Sequence, residues 1–138
     1  MKQYFDIKEI TCDHVYDRFG EDAWRFFDPR LLKVMEFLRL KLNRRIIINS
    51  RSRGLTQRGL RCNMCSLVAE KTRPYLSAHV LGAAFDFDVE GMLAEEVRKW
   101  IEANKRDLPY PVRLESKVSW VHMDVATEST DKVTYFEG

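Results

Sequence analysis

Apolar positions first recur at helical spacing at Leu31, Leu32, Met35, Leu38 and Leu42, while Lys33, Glu36, Arg39 and Lys41 fall mostly on the other side. Asp28-Pro29 supplies the start: an Asp to cap free N–H groups, and a Pro at the first helical position, where its missing N–H costs nothing. The pattern predicts a helix of about four turns docked by one face. Arg44-Arg45-Ile46-Ile47-Ile48-Asn49-Ser50 follows, a β-branched run bounded by polar residues, and predicts a strand buried on at least one face. Periodicity lapses over residues 51–76, where Gly54, Gly59 and Pro74 punctuate a long loop of the kind that often carries function.

Alternation returns at Ala83–Val89, with Phe85, Phe87 and Val89 on one face and Ala84, Asp86 and Asp88 on the other. The aromatics face a core; the two carboxylates face something else. From Gly91 to Lys105, Leu93, Val97, Trp100 and Ile101 mark a second amphipathic helix, acidic early at Glu95 and Glu96 and basic late at Lys105 and Arg106, as the helix dipole prefers. Pro109 and Pro111 stop it. Two strands are predicted next, Val112–Glu115 and Val118–Val125, the second placing Trp120, His122 and Asp124 on one face. A last short strand, Val133–Phe136, covers an edge. Helices before and between antiparallel-type strands give an α+β fold, a small antiparallel sheet flanked by helices. No repeat, low-complexity tract or linker divides the chain, so residues 1–138 are read as one domain.

Composition narrows the function classes. Hydrophobic residues make up 45% and charged residues 32%, enough for one core and too balanced for a disordered chain. Lys+Arg 23 against Asp+Glu 21 leaves a net charge of +2, which gives no support to a nucleic-acid partner. No apolar run spans a bilayer, and Met1-Lys2-Gln3-Tyr4-Phe5-Asp6 lacks a signal-peptide core, so no membrane partner and a cytoplasmic site of synthesis are expected. The three cysteines, Cys12, Cys62 and Cys65, are an odd number without a secretory signal, which leaves free thiols, metal ligation or redox chemistry.

Imidazole and carboxylate are frequent zinc ligands in catalytic sites, three from the protein with a fourth position open. His79, Asp86 and His122 can supply that set. Ser77-Ala78-His79-Val80-Leu81-Gly82-Ala83-Ala84-Phe85-Asp86 reads S-x-H-x-x-G-x-A-x-D, a five-position pattern expected by chance in about one chain in ten thousand or fewer. It resembles the zinc-site signature of the D-alanyl-D-alanine metallopeptidases, a group that also resembles the hedgehog signalling domain. Trp120-Val121-His122 resembles the family's W-x-H segment. Ile48-Asn49-Ser50-Arg51-Ser52-Arg53 resembles its I-T-S-G-Y-R segment, and Tyr4-Phe5-Asp6-Ile7-Lys8-Glu9-Ile10 with Cys12 resembles the opening of its phage-borne branch.

The resemblance implies zinc at His79, Asp86 and His122, and a substrate-holding role for Arg53. It implies a hedgehog-like or peptidase-like fold and D,D-carboxypeptidase or endopeptidase action on peptidoglycan stem peptides. Gly82 allows a left-handed turn, Ala84 leaves room beside Asp86, and Ser77 is a donor to a ligand or a substrate carboxylate. Where the peptidases place an acid three positions before the last histidine, this chain has Ser119, which is no carboxylate base. Glu115 is the nearest candidate and looks like the hedgehog arrangement; a hairpin turning at Ser116-Lys117 would bring it beside the metal. Asp88 and Asp124 are alternative bases or orient a ligand histidine. The competing reading is a non-catalytic zinc-containing binding module on the same fold.

Cys62-Asn63-Met64-Cys65 is a C-x-x-C and Cys12-Asp13-His14 a C-x-H; together they make a tetrahedral ligand set for a second, structural zinc clipping the N-terminal arm to the long loop. A thioredoxin-like redox pair is disfavoured, because no helix is predicted to open at Cys62. A monomer is expected. A phage or prophage enzyme released to the cell wall by a separate lysis system, or a cytosolic dipeptidase, fits the absence of a wall-binding module.

Overall fold

A computed structural model describes residues 1–138. Its centre is a five-stranded sheet of β1 (Ile46–Ile47), β2 (Ala84–Val89), β3 (Val112–Glu115), β4 (Val121–Asp124) and β5 (Val133–Phe136), in the order β1-β2-β4-β3-β5. The first four pair antiparallel, but β5 lies parallel to β3, with Val112 opposite Val133 and Glu115 opposite Phe136. The sheet is therefore mixed, which corrects the purely antiparallel expectation: residues 125–132 carry the chain back across the β3–β4 hairpin before β5 forms.

The α+β class holds, with five short to medium helices: α1 (Ile7–Ile10), α2 (Asp13–Phe19), α3 (Pro29–Leu42), α4 (Ser66–Ala69) and α5 (Ala94–Ala103). Helix α3 starts as predicted, with the Asp28 carboxylate accepting the Arg30 N–H at 2.9 Å and Pro29 in the first turn. Its apolar stripe, Leu31, Val34, Met35 and Leu38, is fully buried. Phe85 and Phe87 of β2, Leu114 of β3 and Val121 and Met123 of β4 complete the core from one face of the sheet. Aromatic contacts tie the layers together: Phe27 lies 5.5 Å from Phe85, and Phe37 of α3 lies 6.2 Å from Trp100 of α5, between ring centroids.

The other face carries Ala84, Asp86, Arg113, His122 and Asp124, as alternation requires. It is roofed by the long loop, so Asp86 and His122 are buried although they point away from the core. That loop is more structured than its sequence implies. It holds a 3₁₀ turn at Arg51–Arg53 and helix α4, and its backbone joins β2 where the Asp86 N–H donates to Arg58 O at 2.7 Å.

Several boundaries contract relative to the sequence expectation. Only Ile46 and Ile47 of the predicted 44–50 strand join the ladder, α5 spans Ala94–Ala103, and β4 begins at Val121 because residues 116–120 form the turn. No helix is long and apolar enough to cross a membrane.

Candidate metal centre

Asp86 on β2 and His122 on β4 are directly opposed in the antiparallel ladder. A cross-strand pair has its Cβ atoms about 5 Å apart, so the two side chains meet without any loop being recruited. His122 Nδ1 lies 2.8 Å from Asp86 Oδ1. His79 enters from the turn before β2, with Nε2 3.2 Å from Asp86 Oδ2. Gly82 makes that turn possible: its φ is +68°, and a Cβ there would collide with the Phe26 carbonyl oxygen. The donor atoms of the three residues lie within 4.8 Å of one another, so they form a group that could hold a metal ion.

Hydrogen bonds around the triad fix which ring nitrogens point inward. A carbonyl only accepts, so His79 Nδ1, 2.9 Å from Gly59 O, must carry the proton. His79 then turns Nε2 toward a carboxylate oxygen of Asp86. His122 has a carboxylate at each nitrogen, Asp86 at Nδ1 and Asp124 at Nε2, the latter at 2.8 Å. Protonated on both nitrogens, His122 donates to Asp124 and to Asp86, and loss of the Nδ1 proton frees the nitrogen that faces Asp86. Two imidazoles thus turn a ring nitrogen toward one buried carboxylate, whose charge a proton or a cation offsets. The donor set therefore fits a borderline metal such as zinc, with the outer hydrogen bonds orienting both rings.

The electrostatics of the triad follow from the same contacts. Burial by itself would lower the His122 pKa, but the hydrogen bonds and charges of Asp124 and Asp86 outweigh it and raise it to about 9. Burial would raise Asp86, yet hydrogen bonds from His122 and His79 hold it well below the usual carboxylate range.

Asp124 is the orienting residue. Besides accepting from His122, it receives two hydrogen bonds from Arg113, at 2.8 and 2.9 Å, and is fully buried. Ala84 stands opposite Asp124 in the ladder, so its small side chain gives room there as well as beside Asp86. Asp88 touches neither histidine; it is bound by Arg58 at 2.9 Å and Arg53 at 3.2 Å.

Glu115 follows Arg113 on the same face of β3 and lines a cavity of about 380 Å³ together with His79, Asp86 and His122. The hairpin between β3 and β4 turns where expected, with Lys117 in the left-handed region at φ 62°. A second opening of about 460 Å³ adjoins the first at Arg61, Asp86 and Trp120 and includes Arg53 and Ser119 on its wall. Arg53 thus stands in the neighbouring cleft rather than against the triad. The hydroxyl of Ser77 accepts the Val80 N–H at 3.3 Å, which makes it a turn-forming group at the cavity wall.

Sequence reasoning missed three arginines. Arg61 reaches Asp86 Oδ2 at 3.4 Å, Arg58 neutralises Asp88, and Arg98 of α5 is buried. Arg98 donates to Trp120 O at 3.0 Å and Val118 O at 3.1 Å, fixing the turn that leads into His122. One signal was available for the loop pair: Arg51, Arg53, Arg58 and Arg61 precede the first acidic residue after Ser50, Glu70, so their charges had to be met from elsewhere in the fold.

The remaining candidates, Cys12, His14, Cys62 and Cys65, form a separate group, their donor atoms also within 4.8 Å of one another. All three thiols are free, and burial pushes the Cys12 thiol up to about 12. A helix does open beside the C-x-x-C: Cys65 immediately precedes α4, although at four residues α4 is a single turn. The chain matches no family model, no curated protein and no solved structure.

Proposed function

We propose that this chain is a zinc-dependent peptidase acting on D-alanyl-D-alanine-type stem peptides of peptidoglycan, as a D,D-carboxypeptidase or endopeptidase. The observation that carries the metal half is the His79–Asp86–His122 triad, whose donor atoms lie within 4.8 Å of one another. The signature S-x-H-x-x-G-x-A-x-D with Trp120-x-His122 carries the substrate half.

His79, Asp86 and His122 would hold the zinc, which would supply Lewis acidity toward a peptide carbonyl and a bound water. Every other task falls to the chain. Glu115, on the same cavity wall, takes the proton of the attacking water and returns it to the leaving amine. Asp124 holds the His122 ring by its Nε2–H. Arg53, exposed in the adjoining cleft and bound on one side to Asp88, offers its remaining N–H groups to a substrate carboxylate. Trp120, at the junction of the two openings, gives a flat apolar surface against which a peptide can lie.

The test is hydrolysis of a D-Ala-D-Ala-terminated muramyl peptide by the zinc-loaded protein, followed by mass spectrometry. Cleavage that disappears on chelation and returns with zinc supports the reading; intact peptide with zinc bound rejects it. That second outcome favours a zinc-containing binding module, a reading that rests on Ser119 standing where an acid is expected.

A further inference from the structure

We propose that Cys12, His14, Cys62 and Cys65 bind one zinc ion as a permanent structural centre, and that this centre holds in place the loop that orients His79 and Asp86. It is separate from the peptidase reading and requires no substrate.

The donor set is three sulfurs and one imidazole, a composition typical of closed, four-coordinate structural zinc. Four ligands at Zn–S about 2.3 Å and Zn–N about 2.0 Å stand roughly 3.5–3.8 Å apart in a tetrahedron. Here all donor atoms fall within 4.8 Å, and Cys65 Sγ lies 3.8 Å from His14 Nδ1. Small side-chain rotations close the remainder. Backbone N–H groups already point at the sulfurs, Cys62 N–H toward Cys65 Sγ at 3.5 Å and Met64 N–H toward Cys62 Sγ at 3.4 Å. Such donors stabilise thiolate, the form a metal binds. A disulfide explains the group less well, since any one pair leaves the third cysteine and His14 without a role.

The two pairs sit on segments that are otherwise far apart in sequence. Cys12 and His14 flank the start of α2, and Cys62 and Cys65 close the turn before α4. Between them the backbones run side by side: Cys12 N–H donates to Leu60 O at 3.0 Å and Leu60 N–H to Ile10 O at 2.9 Å. Gly59 sits so close to Ile10 that a Cβ there would strike the Ile10 carbonyl oxygen. The short stretch from Gly59 to Cys62 then serves both centres. Gly59 O accepts from His79 Nδ1, Arg61 N–H donates to His79 O at 3.3 Å, and the Arg61 guanidinium reaches Asp86. An ion at Cys62 therefore anchors the segment that sets the tautomer of His79.

The test starts from the intact chain and from a His79→Ala/His122→Ala variant in which every cysteine remains. The intact chain is expected to hold two zinc per molecule and the variant one. Cobalt exchanged into the variant should give an intense sulfur-to-cobalt charge-transfer band, which nothing at His79, Asp86 and His122 can produce. Native thiols should react with a disulfide reagent only after chelation. No metal in the His79→Ala/His122→Ala variant, no charge-transfer band, or three thiols equally reactive with and without chelator would each overturn the site.

The coupling to the triad has its own readout. Cys62→Ser, refolded, should bind metal at His79, Asp86 and His122 about 10–100-fold more weakly, the range for losing an orienting partner. Unchanged affinity there rejects the coupling and leaves the sulfur site standing. Loss of peptide cleavage alone bears on the peptidase reading and not on this centre.

Discussion

His122 Nε2 and Asp124 Oδ2 lie 2.8 Å apart, two positions along one strand, where alternation puts both side chains on the same face. This pair decides which nitrogen of His122 is left for a metal. With Nε2–H given to Asp124, Nδ1 is the nitrogen that a metal takes by displacing its proton, and it is the atom that faces Asp86. Asp124→Asn keeps the shape but offers an amide that can present its NH₂ to Nε2 and reverse the tautomer. It also loses the charge that pairs with Arg113. Metal affinity at the triad should fall about 10–100-fold, read by competition with a chromophoric chelator. Affinity equal to the parent's would show that Asp124 serves the fold and not the ligand.

Much of this site was legible because strand alternation is a strict geometric rule. Phe85 and Phe87 inward imply Asp86 outward, and the same logic put His122 and Asp124 together. What periodicity could not give was direction and partners. Nothing in Val133–Phe136 distinguishes a parallel from an antiparallel neighbour, so the all-antiparallel expectation fails at β5. The N-terminal helices of four and seven residues are too short to display a helical period in the sequence. Arg61 lay in a loop with no period at all, and its contact to Asp86 spans 25 residues.

The metal-free protein should show a specific dependence of stability on pH. His122 is raised in the folded state from 6.5 to about 9 by its two carboxylates. A raised pKa contributes stability that is fully present below about 6.5 and is lost as pH climbs through about 9. Asp86 is lowered from 3.8, so its contribution is present above that value and lost as pH falls. These are two sides of one ion pair and are not to be added. On this basis the chelated protein loses on the order of 3 kcal/mol between pH 6.5 and 9.5. Thermal melts of chelated parent and chelated His122→Gln across that window provide the check, since the variant should lack the decline. Parallel curves would rule His122 out as its source.

Gly82 is the sharpest conformational demand in the motif. Its φ of +68° strains any L side chain, and the Cβ of an alanine would meet the Phe26 carbonyl oxygen, a backbone atom that cannot swing aside. The Asp28 N–H donates to Gly82 O at 2.9 Å, so the two segments cannot part without losing that bond. Gly82→Ala should cost about 2–4 kcal/mol in denaturant unfolding. Gly54, with φ +71° but open space around it, provides the control: Gly54→Ala meets only the backbone penalty, about 1 kcal/mol. Equal losses at the two positions would mean that the Phe26 contact yields more easily than its geometry indicates.

On the proposed peptidase reading, Glu115 is the acid on which peptide hydrolysis depends. It is the only acidic residue between Asp107 and His122, and it lines the cavity that His79, Asp86 and His122 also line. The other carboxylates nearby are committed: Asp124 to His122 and Arg113, Asp88 to Arg58 and Arg53. Ser119 lies on the wall of the neighbouring cleft and carries no carboxylate. Removing a general base typically lowers a rate by about 10²–10⁴-fold while leaving metal ligands untouched. Glu115→Gln should therefore retain the zinc content of the parent and lose cleavage of a D-Ala-D-Ala-terminated peptide by that factor. Its pH–rate profile should also lose the acidic limb that a carboxylate base imposes, a change that a disturbed turn would not produce. Cleavage at the parental rate with an unaltered profile would keep the metallopeptidase and remove Glu115 from its mechanism.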